Sequence, residues 1–263
     1  MDALKSTRLF LLDMDGTIYL GDEIIPGATE FINGLKKAGI GYIYLTNNSS
    51  RSCSDYVNRL QSMGFPCGKE NIFTSSMATA MYLNEFFPGK TIYPVGTRAF
   101  TRELEEYGVI LGTENPAAVA VGFDTELTYE KLKNAVDFLM DGAAFIAANP
   151  DFVCPMPQGR VLPDCGSICA LLTASTGKKP FYIGKPNRNM IDIISRKTGI
   201  PQNLITAVGD RLYTDIAVAE NAGAVSVCVL TGETSPEDID ASHIKPRYTF
   251  PSVRELGEYL GVI

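Results

Sequence analysis

The stretch Leu9-Phe10-Leu11-Leu12-Asp13-Met14-Asp15-Gly16-Thr17 decides the fold. Four consecutive apolar residues are too few for a helix and read as a strand buried on both faces. The run stops abruptly in two carboxylates, a glycine and a hydroxyl. Ligands of open parallel sheets bind just beyond the carboxyl ends of the strands, so Asp13 and Asp15 are expected at such a rim. With Met14 between them, the two side chains on an extended backbone point the same way, within reach of one metal ion. Gly16 permits a sharp turn, which the Thr17 hydroxyl is expected to hold. Alone, the pattern also fits a calcium loop or a plain acidic turn.

Outward from that strand, short apolar runs alternate with amphipathic helices. Residues 28–38 carry Phe31, Ile32 and Leu35 at helical spacing. Tyr42-Ile43-Tyr44-Leu45 is a second buried strand, running into Thr46-Asn47-Asn48-Ser49-Ser50-Arg51. A helix over 55–63, a strand over 72–74 and a helix over 76–86 follow. Such repeats imply parallel pairing and right-handed crossovers, an α/β doubly wound, Rossmann-like sheet. Pro88-Gly89 opens a second series, with strands at 91–95, 118–121 and 144–147 and helices at 99–107 and 129–140. It continues through Asn149-Pro150-Asp151 into a loop over 155–166, punctuated by Pro157, Gly159 and Pro163, and a helix over 168–174. From Pro180 the first pattern resumes: Phe181-Tyr182-Ile183 leads into Gly184-Lys185-Pro186, and the strand 204–208 ends in Gly209-Asp210-Arg211-Leu212-Tyr213-Thr214-Asp215. The economical division is one sheet domain, 1–79 and 181–263, interrupted by an inserted α/β domain over 80–180.

Composition narrows the function. A net charge of -7 argues against nucleic acid and against an acidic membrane surface, although a local metal can still favour an anionic substrate. No apolar run approaches the roughly 20 residues of a membrane span. Six scattered cysteines without a CxxC, and a single histidine, argue against a zinc site and for reduced thiols in a cytoplasm. Cys165 and Cys169 read as packing at a helix start.

Four sites then fall at strand ends or helix entries: Asp13 with Asp15, Thr46 with Asn47, Lys185, and Asp210 with Asp215. Together they can move a phosphoryl group. Asp13 as a carboxylate nucleophile would form an aspartyl-phosphate, and Asp15 could protonate the leaving oxygen and then deprotonate water. Thr46 and the backbone near Asn47 can donate to the transferring oxygens, and Lys185 places a cation where charge gathers. Asp210 suits Mg²⁺. Asp215 reads as a second ligand through water, an orienting partner, or a helix cap. Asn149, Asp151 and the 155–166 loop with Pro163 read either as turn chemistry or as residues that admit and select the substrate.

LLDMDGT, YLTNNSSRS, the lysine of IGKPN and VGDRLYTD resemble the four motifs of haloacid-dehalogenase-superfamily phosphatases over nearly the whole chain. The insertion is similar to the α/β cap of the NagD-like, 4-nitrophenylphosphatase group, as are TSSMATAMYL, FIAANPD and KPFYIGKP. The resemblance implies a Mg²⁺-dependent hydrolase of small phosphomonoesters acting through an aspartyl-phosphate. It implies phosphate binding by Thr46, Asn47, Asn48 and Lys185, with metal held by the Asp13 side chain, the Asp15 carbonyl and Asp210. Cap-mediated homodimers occur among such relatives. A phosphotransferase or mutase with the same intermediate, and a non-enzymatic phospho-aspartate switch, are the competing readings.

Overall fold

A computed structural model describes residues 2–156 and 159–263. In chain order the first elements are β1 (Leu9–Leu12), β2 (Tyr19–Leu20), β3 (Glu23–Ile24), α1 (Ala28–Lys37), β4 (Gly41–Thr46), α2 (Cys53–Ser62), β5 (Ile72–Thr74) and α3 (Ser75–Phe86). There follow β6 (Thr91–Val95), α4 (Arg98–Glu106), β7 (Ile110–Leu111), β8 (Ala118–Val121), α5 (Tyr129–Met140) and β9 (Ala144–Ala147). Next come β10 (Val153–Met156), β11 (Arg160–Pro163), α6 (Cys165–Thr176), β12 (Phe181–Tyr182), α7 (Asn189–Thr198) and β13 (Ile205–Gly209). A π-helical turn (Leu212–Ile216) leads into α8 (Ala217–Ala222), β14 (Val225–Val229), α9 (Pro236–Ala241), β15 (Tyr248–Phe250) and α10 (Val253–Leu260).

The chain divides into two compact units, one of residues 1–46, 56–73 and 185–263, the other of residues 47–55 and 74–184. The first is built on a six-stranded sheet ordered β15-β14-β13-β1-β4-β5. The apolar run at Leu9 takes a central place because both its faces need cover, and all four of its residues are buried. It pairs in parallel with β4 on one side and β13 on the other, with Leu12 opposite Tyr44 and Val208. This register brings the three strands to their carboxyl ends together, so Asp13, Thr46 and Asp210 leave the sheet along one edge. From α1, Phe31, Ile32 and Leu35 are fully buried, and the Phe31 ring meets that of Phe10 edge-on at 5.9 Å. Burying each such side chain contributes about 1.5–3 kcal/mol.

The second unit carries a five-stranded sheet ordered β12-β9-β8-β6-β7, with β6–β7, β6–β8, β8–β9 and β9–β12 all parallel. Val95, Val119, Val121, Phe145, Leu139, Ile168 and Leu172 pack in its core. Two expectations change here. Phe181-Tyr182 does not return to the first sheet but pairs with β9, Phe181 opposite Ile146. Short apolar strands carry nothing in their residues that names a partner, so pattern alone could not assign this one. The 155–166 stretch is not all loop: β10 and β11 form an antiparallel ribbon, Val153 opposite Pro163, and α6 starts as early as Cys165. Prolines that read as punctuation in sequence also suit an edge strand. Pro157 lies outside the described residues. Among those described, no helix is long and apolar enough to cross a membrane.

Candidate active site

At the carboxyl edge of the first sheet, the acids from β1 and β13 meet one lysine. Lys185 is 3% exposed, and its Nζ donates to Asp13 Oδ1 at 2.5 Å and to Asp215 Oδ1 at 2.6 Å. Burial opposes the ammonium charge, but the two carboxylates outweigh it and hold Lys185 above its ordinary value. Burial likewise pushes the Asp13 carboxyl up to about 7; Lys185 pulls it down, while Asp215 and Asp210 add to the rise. Asp210 is raised to about 6 by burial first and by Asp215 second. One carboxylate oxygen from each of Asp13, Asp210 and Asp215 lies within 4.8 Å of the others.

The turn after β1 is built around this cluster. Gly16 sits at φ 85°, where a side chain is strained, and a Cβ there would lie 2.5 Å from Asp210 Oδ2. Gly232 abuts the same carboxylate from the other side. Thr231 Oγ1 donates to the Gly16 carbonyl at 2.6 Å, and the Glu233 N–H donates to Asp210 Oδ2 at 2.7 Å. Thr17 does not hold the turn: its hydroxyl is buried without a hydrogen-bond partner among the described residues. Main-chain bonds do so instead, Gly16 N–H to the Tyr19 carbonyl at 2.7 Å and Ile18 N–H to Met14 at 2.9 Å. Asp210 Oδ1, in contrast to Oδ2, is buried with no hydrogen-bond partner among the described residues. A buried carboxylate oxygen left without a donor is costly, and a hard cation coordinated by oxygens satisfies it. The oxygen donors of Asp13, Asp210 and Asp215 thus suit a hard cation such as Mg²⁺ in their chemistry, and Gly16 and Gly232 both lie against the Asp210 carboxylate.

Asp15 stands apart from the three acids and is exposed. The protein around it still raises its carboxyl, against the Gly21 N–H and the charges of Arg211 and Arg59. Arg211 and Glu233 escaped the sequence reading. The Arg211 Nε lies 3.0 Å from Glu233 Oε2, and the guanidinium senses Asp13 and Asp210. The arginine in VGDRLYTD was the available signal. Nothing in the sequence marks Glu233, which enters because its peptide reaches Asp210. Asp215 does not cap α8; it belongs to the π-turn, with Oδ2 accepting from the Arg211 N–H at 3.2 Å.

The remaining expected residues lie elsewhere. Thr46 closes β4 and is buried in the first unit, whereas Asn47 and Asn48 belong to the second. There Asn47 Nδ2 donates to Asp151 Oδ2 at 2.8 Å. Asn149, fully buried, also donates to Asp151 Oδ2, at 2.9 Å, and to Asp164 Oδ1 at 3.1 Å. Burial raises Asp164 to about 6. Pro163 is exposed at the end of β11. Cys165 and Cys169 are free, buried thiols on α6, their sulfurs 3.9 Å apart.

Comparison with known proteins adds an independent line. The family described as haloacid dehalogenase-like hydrolase matches residues 10–110, and one described as HAD-hydrolase-like matches residues 182–256. The 5'-nucleotidase YutF of Bacillus subtilis is 36% identical over 257 residues, spanning 98% of this chain and 100% of the relative. An acid sugar phosphatase of Staphylococcus aureus is 34% identical over 253 residues, 96% of this chain and 97% of its own. The structure of 4-nitrophenylphosphatase from Thermotoga maritima superposes with a TM-score of 0.94 at 43% identity, covering 99% of this chain and 100% of the other.

Proposed function

The chain belongs to the haloacid dehalogenase-like hydrolases, and on that premise we propose that Asp13 is the nucleophile and Asp15 the general acid and base of a phosphomonoester hydrolase. Its activity is that of a phosphatase on small phosphorylated substrates. Asp13 attacks phosphorus, and the bond to the substrate oxygen breaks as Asp15 hands that oxygen a proton. Asp15, now a base, takes a proton from water. The water oxygen attacks phosphorus, the Asp13 oxygen–phosphorus bond breaks, and inorganic phosphate leaves.

Lys185 keeps Asp13 oriented and offsets its charge, while Thr46, Asn47 and Asn48 receive phosphate oxygens through hydroxyl and peptide donors. Mg²⁺ would be held by the side chains of Asp13 and Asp210 and the Asp15 carbonyl, with Asp215 beside them. When bound it supplies positive charge toward the transferring oxygens. We assign residues 80–180 the part of a cap, with nucleotides, sugar phosphates and 4-nitrophenyl phosphate as the substrate types to try first. The reading is carried by the convergence of Asp13, Asp210 and Asp215, with Lys185 bonded to Asp13 and Asp215 and Asp210 Oδ1 left without a donor among the described residues.

Phosphate release from a panel of phosphomonoesters, with Mg²⁺ and with chelator, tests it. Chelator-sensitive release that Asp13→Asn abolishes is expected. Turnover by Asp13→Asn at the parental rate refutes the assignment.

A further inference from the structure

Residues 47–53 follow directly on Thr46, and the second unit holds them by hydrogen bonds along their length. The Asn47 carbonyl accepts from Ser75 Oγ at 2.6 Å, the Ser49 carbonyl from Ser76 Oγ at 3.4 Å, and the Ser50 carbonyl from Thr97 Oγ1 at 3.1 Å. The Cys53 N–H donates to Glu103 Oε1 at 2.9 Å, and Glu103 Oε2 accepts from Thr74 Oγ1 at 2.8 Å. Ser49 Oγ accepts the Phe123 N–H at 2.8 Å and donates to Asn149 Oδ1 at 3.2 Å.

Asn149 is the hub. Its carboxamide is fully buried, its Oδ1 accepts from Ser49, and its Nδ2 divides its two protons between Asp151 and Asp164. Asp151 Oδ2 in turn accepts from Asn47 Nδ2 at 2.8 Å. The site demands one acceptor and two donors on a short stem, which asparagine alone provides. Aspartate would set a third carboxylate against two others, and glutamine is a methylene too long. A group this buried and this fully used is not available to a substrate.

We propose that Asn149, with Asp151, is a positioning residue: it fixes the peptide groups of residues 47–49 so that they are preset for the phosphate oxygens. It is therefore not a selector of the leaving group. This rests on the phosphatase reading above, in which Asn47 and Asn48 receive phosphate. Preorganised donors act without having to be ordered when the anion arrives, so slackening them weakens phosphate binding first. The role of Asp151 needs its acceptor oxygen and not its charge, since both its partners are amides.

The test measures KM and kcat for 4-nitrophenyl phosphate, the inhibition constant of inorganic phosphate, and the Mg²⁺ activation constant. Variants are Asn149→Ala, Ser49→Ala, Asp151→Asn and, as reference, Asp13→Asn. In Asn149→Ala and Ser49→Ala, KM and the phosphate inhibition constant should rise about tenfold, the weight of one hydrogen bond. Their kcat should stay within about threefold and the Mg²⁺ constant should not move, because the three acids belong to the first unit. Asp151→Asn keeps the acceptor, so its KM and phosphate inhibition constant should rise less than those of Asn149→Ala. Merely structural damage would instead lower kcat, or the active fraction, at unchanged phosphate inhibition, and that overturns the proposal. If Asn149→Ala does not fold, Ser49→Ala decides alone, since it breaks the same link with one buried atom removed. If Asp13→Asn is inactive while phosphate inhibits both alanine variants as it does the parent, only this proposal fails. If Asp13→Asn turns over, the phosphatase site itself has been misread.

Discussion

Replacing Lys185 by methionine removes the one ammonium that Asp13 and Asp215 share at 2.5 and 2.6 Å. Methionine keeps most of the volume, so the loss is electrostatic. Removing one partner of a buried ion pair costs about 3–5 kcal/mol, because an uncompensated charge stays behind. The protein has one escape, which is to protonate a carboxylate. Asp13, already held up to about 7 beside the lysine, is raised further without it, above its unfolded value of 3.8. The sign follows. Below about 7 Asp13 is protonated in parent and variant alike, and the difference between them grows only as pH rises through that value, where the parent's carboxylate ionises against Lys185. Urea unfolding of the parent and Lys185→Met, both metal-free, should therefore differ more at pH 8 than at pH 5, by up to about 3–5 kcal/mol. An equal difference at the two pH values would show that Lys185 stabilises by packing and refute the electrostatic account.

Two further outcomes follow from single contacts. In Gly16→Ala, the residue sits at φ 85° and its new Cβ would lie 2.5 Å from Asp210 Oδ2, so the turn or the carboxylate must move. The strain costs about 1–2 kcal/mol, and a Mg²⁺ titration of activity should shift upward by tenfold or more (order of magnitude); an unmoved titration would mean the Asp210 position is unimportant. Asp164 is raised to about 6 by burial, so its stabilising contribution is complete below about pH 4 and is lost as pH rises through 6. Asp164→Asn keeps an acceptor for the Cys165 and Asn149 donors but never ionises. It should exceed the parent in stability by up to about 3 kcal/mol at pH 7.5 and match it at pH 4. A less stable variant at pH 7.5 would contradict this.

Most of the fold could be read from periodicity, because buried parallel strands and amphipathic helices leave unlike patterns. The run at Leu9, the strand at Tyr42 and the strand at Ile205 all lie where the alternation puts them, with their acidic or polar ends on one edge. Pattern failed where the same residues suit two partners. Phe181-Tyr182 is short and apolar, and only tertiary register decides that it joins β9. The ribbon of β10 and β11 was hidden by its prolines, which exclude a central strand but not an exposed pair.

The site was legible to the extent that chemistry needs particular side chains. Asp13, Lys185, Asp210 and Asp215 stand out in the sequence by residue type, and the three acids lie close together with Lys185 paired to Asp13 and Asp215. Residues acting through backbone or shape were not. Glu233 contributes a peptide N–H, Gly232 an absence of side chain, and Thr17 turned out to be a filler with an unpaired hydroxyl. Asn149 was visible as a polar residue after a strand, yet whether such a residue faces a ligand or a loop depends on its partners. Those partners, at positions 49, 151 and 164, span more than a hundred residues of chain.

The acids and the lysine do not balance, and that imbalance is informative. Asp13, Asp210 and Asp215 crowd together against one ammonium, and burial raises both Asp13 and Asp210 well above an ordinary carboxylate. A fold selected for stability alone would replace such a cluster by apolar side chains, since buried ion pairs rarely repay their desolvation. This one instead adds constraints that keep the charges in place: Gly16 and Gly232 close around Asp210, the Glu233 peptide pins one of its oxygens, and the other is left without a donor. Surplus negative charge, rigidly held with one oxygen unsatisfied, is a defect in an empty site and a requirement in one that receives a divalent cation. Such a cation would also offset the repulsion between these carboxylates and a phosphate dianion, so the strain in the acid cluster and the proposed affinity for an anionic substrate would have one electrostatic origin.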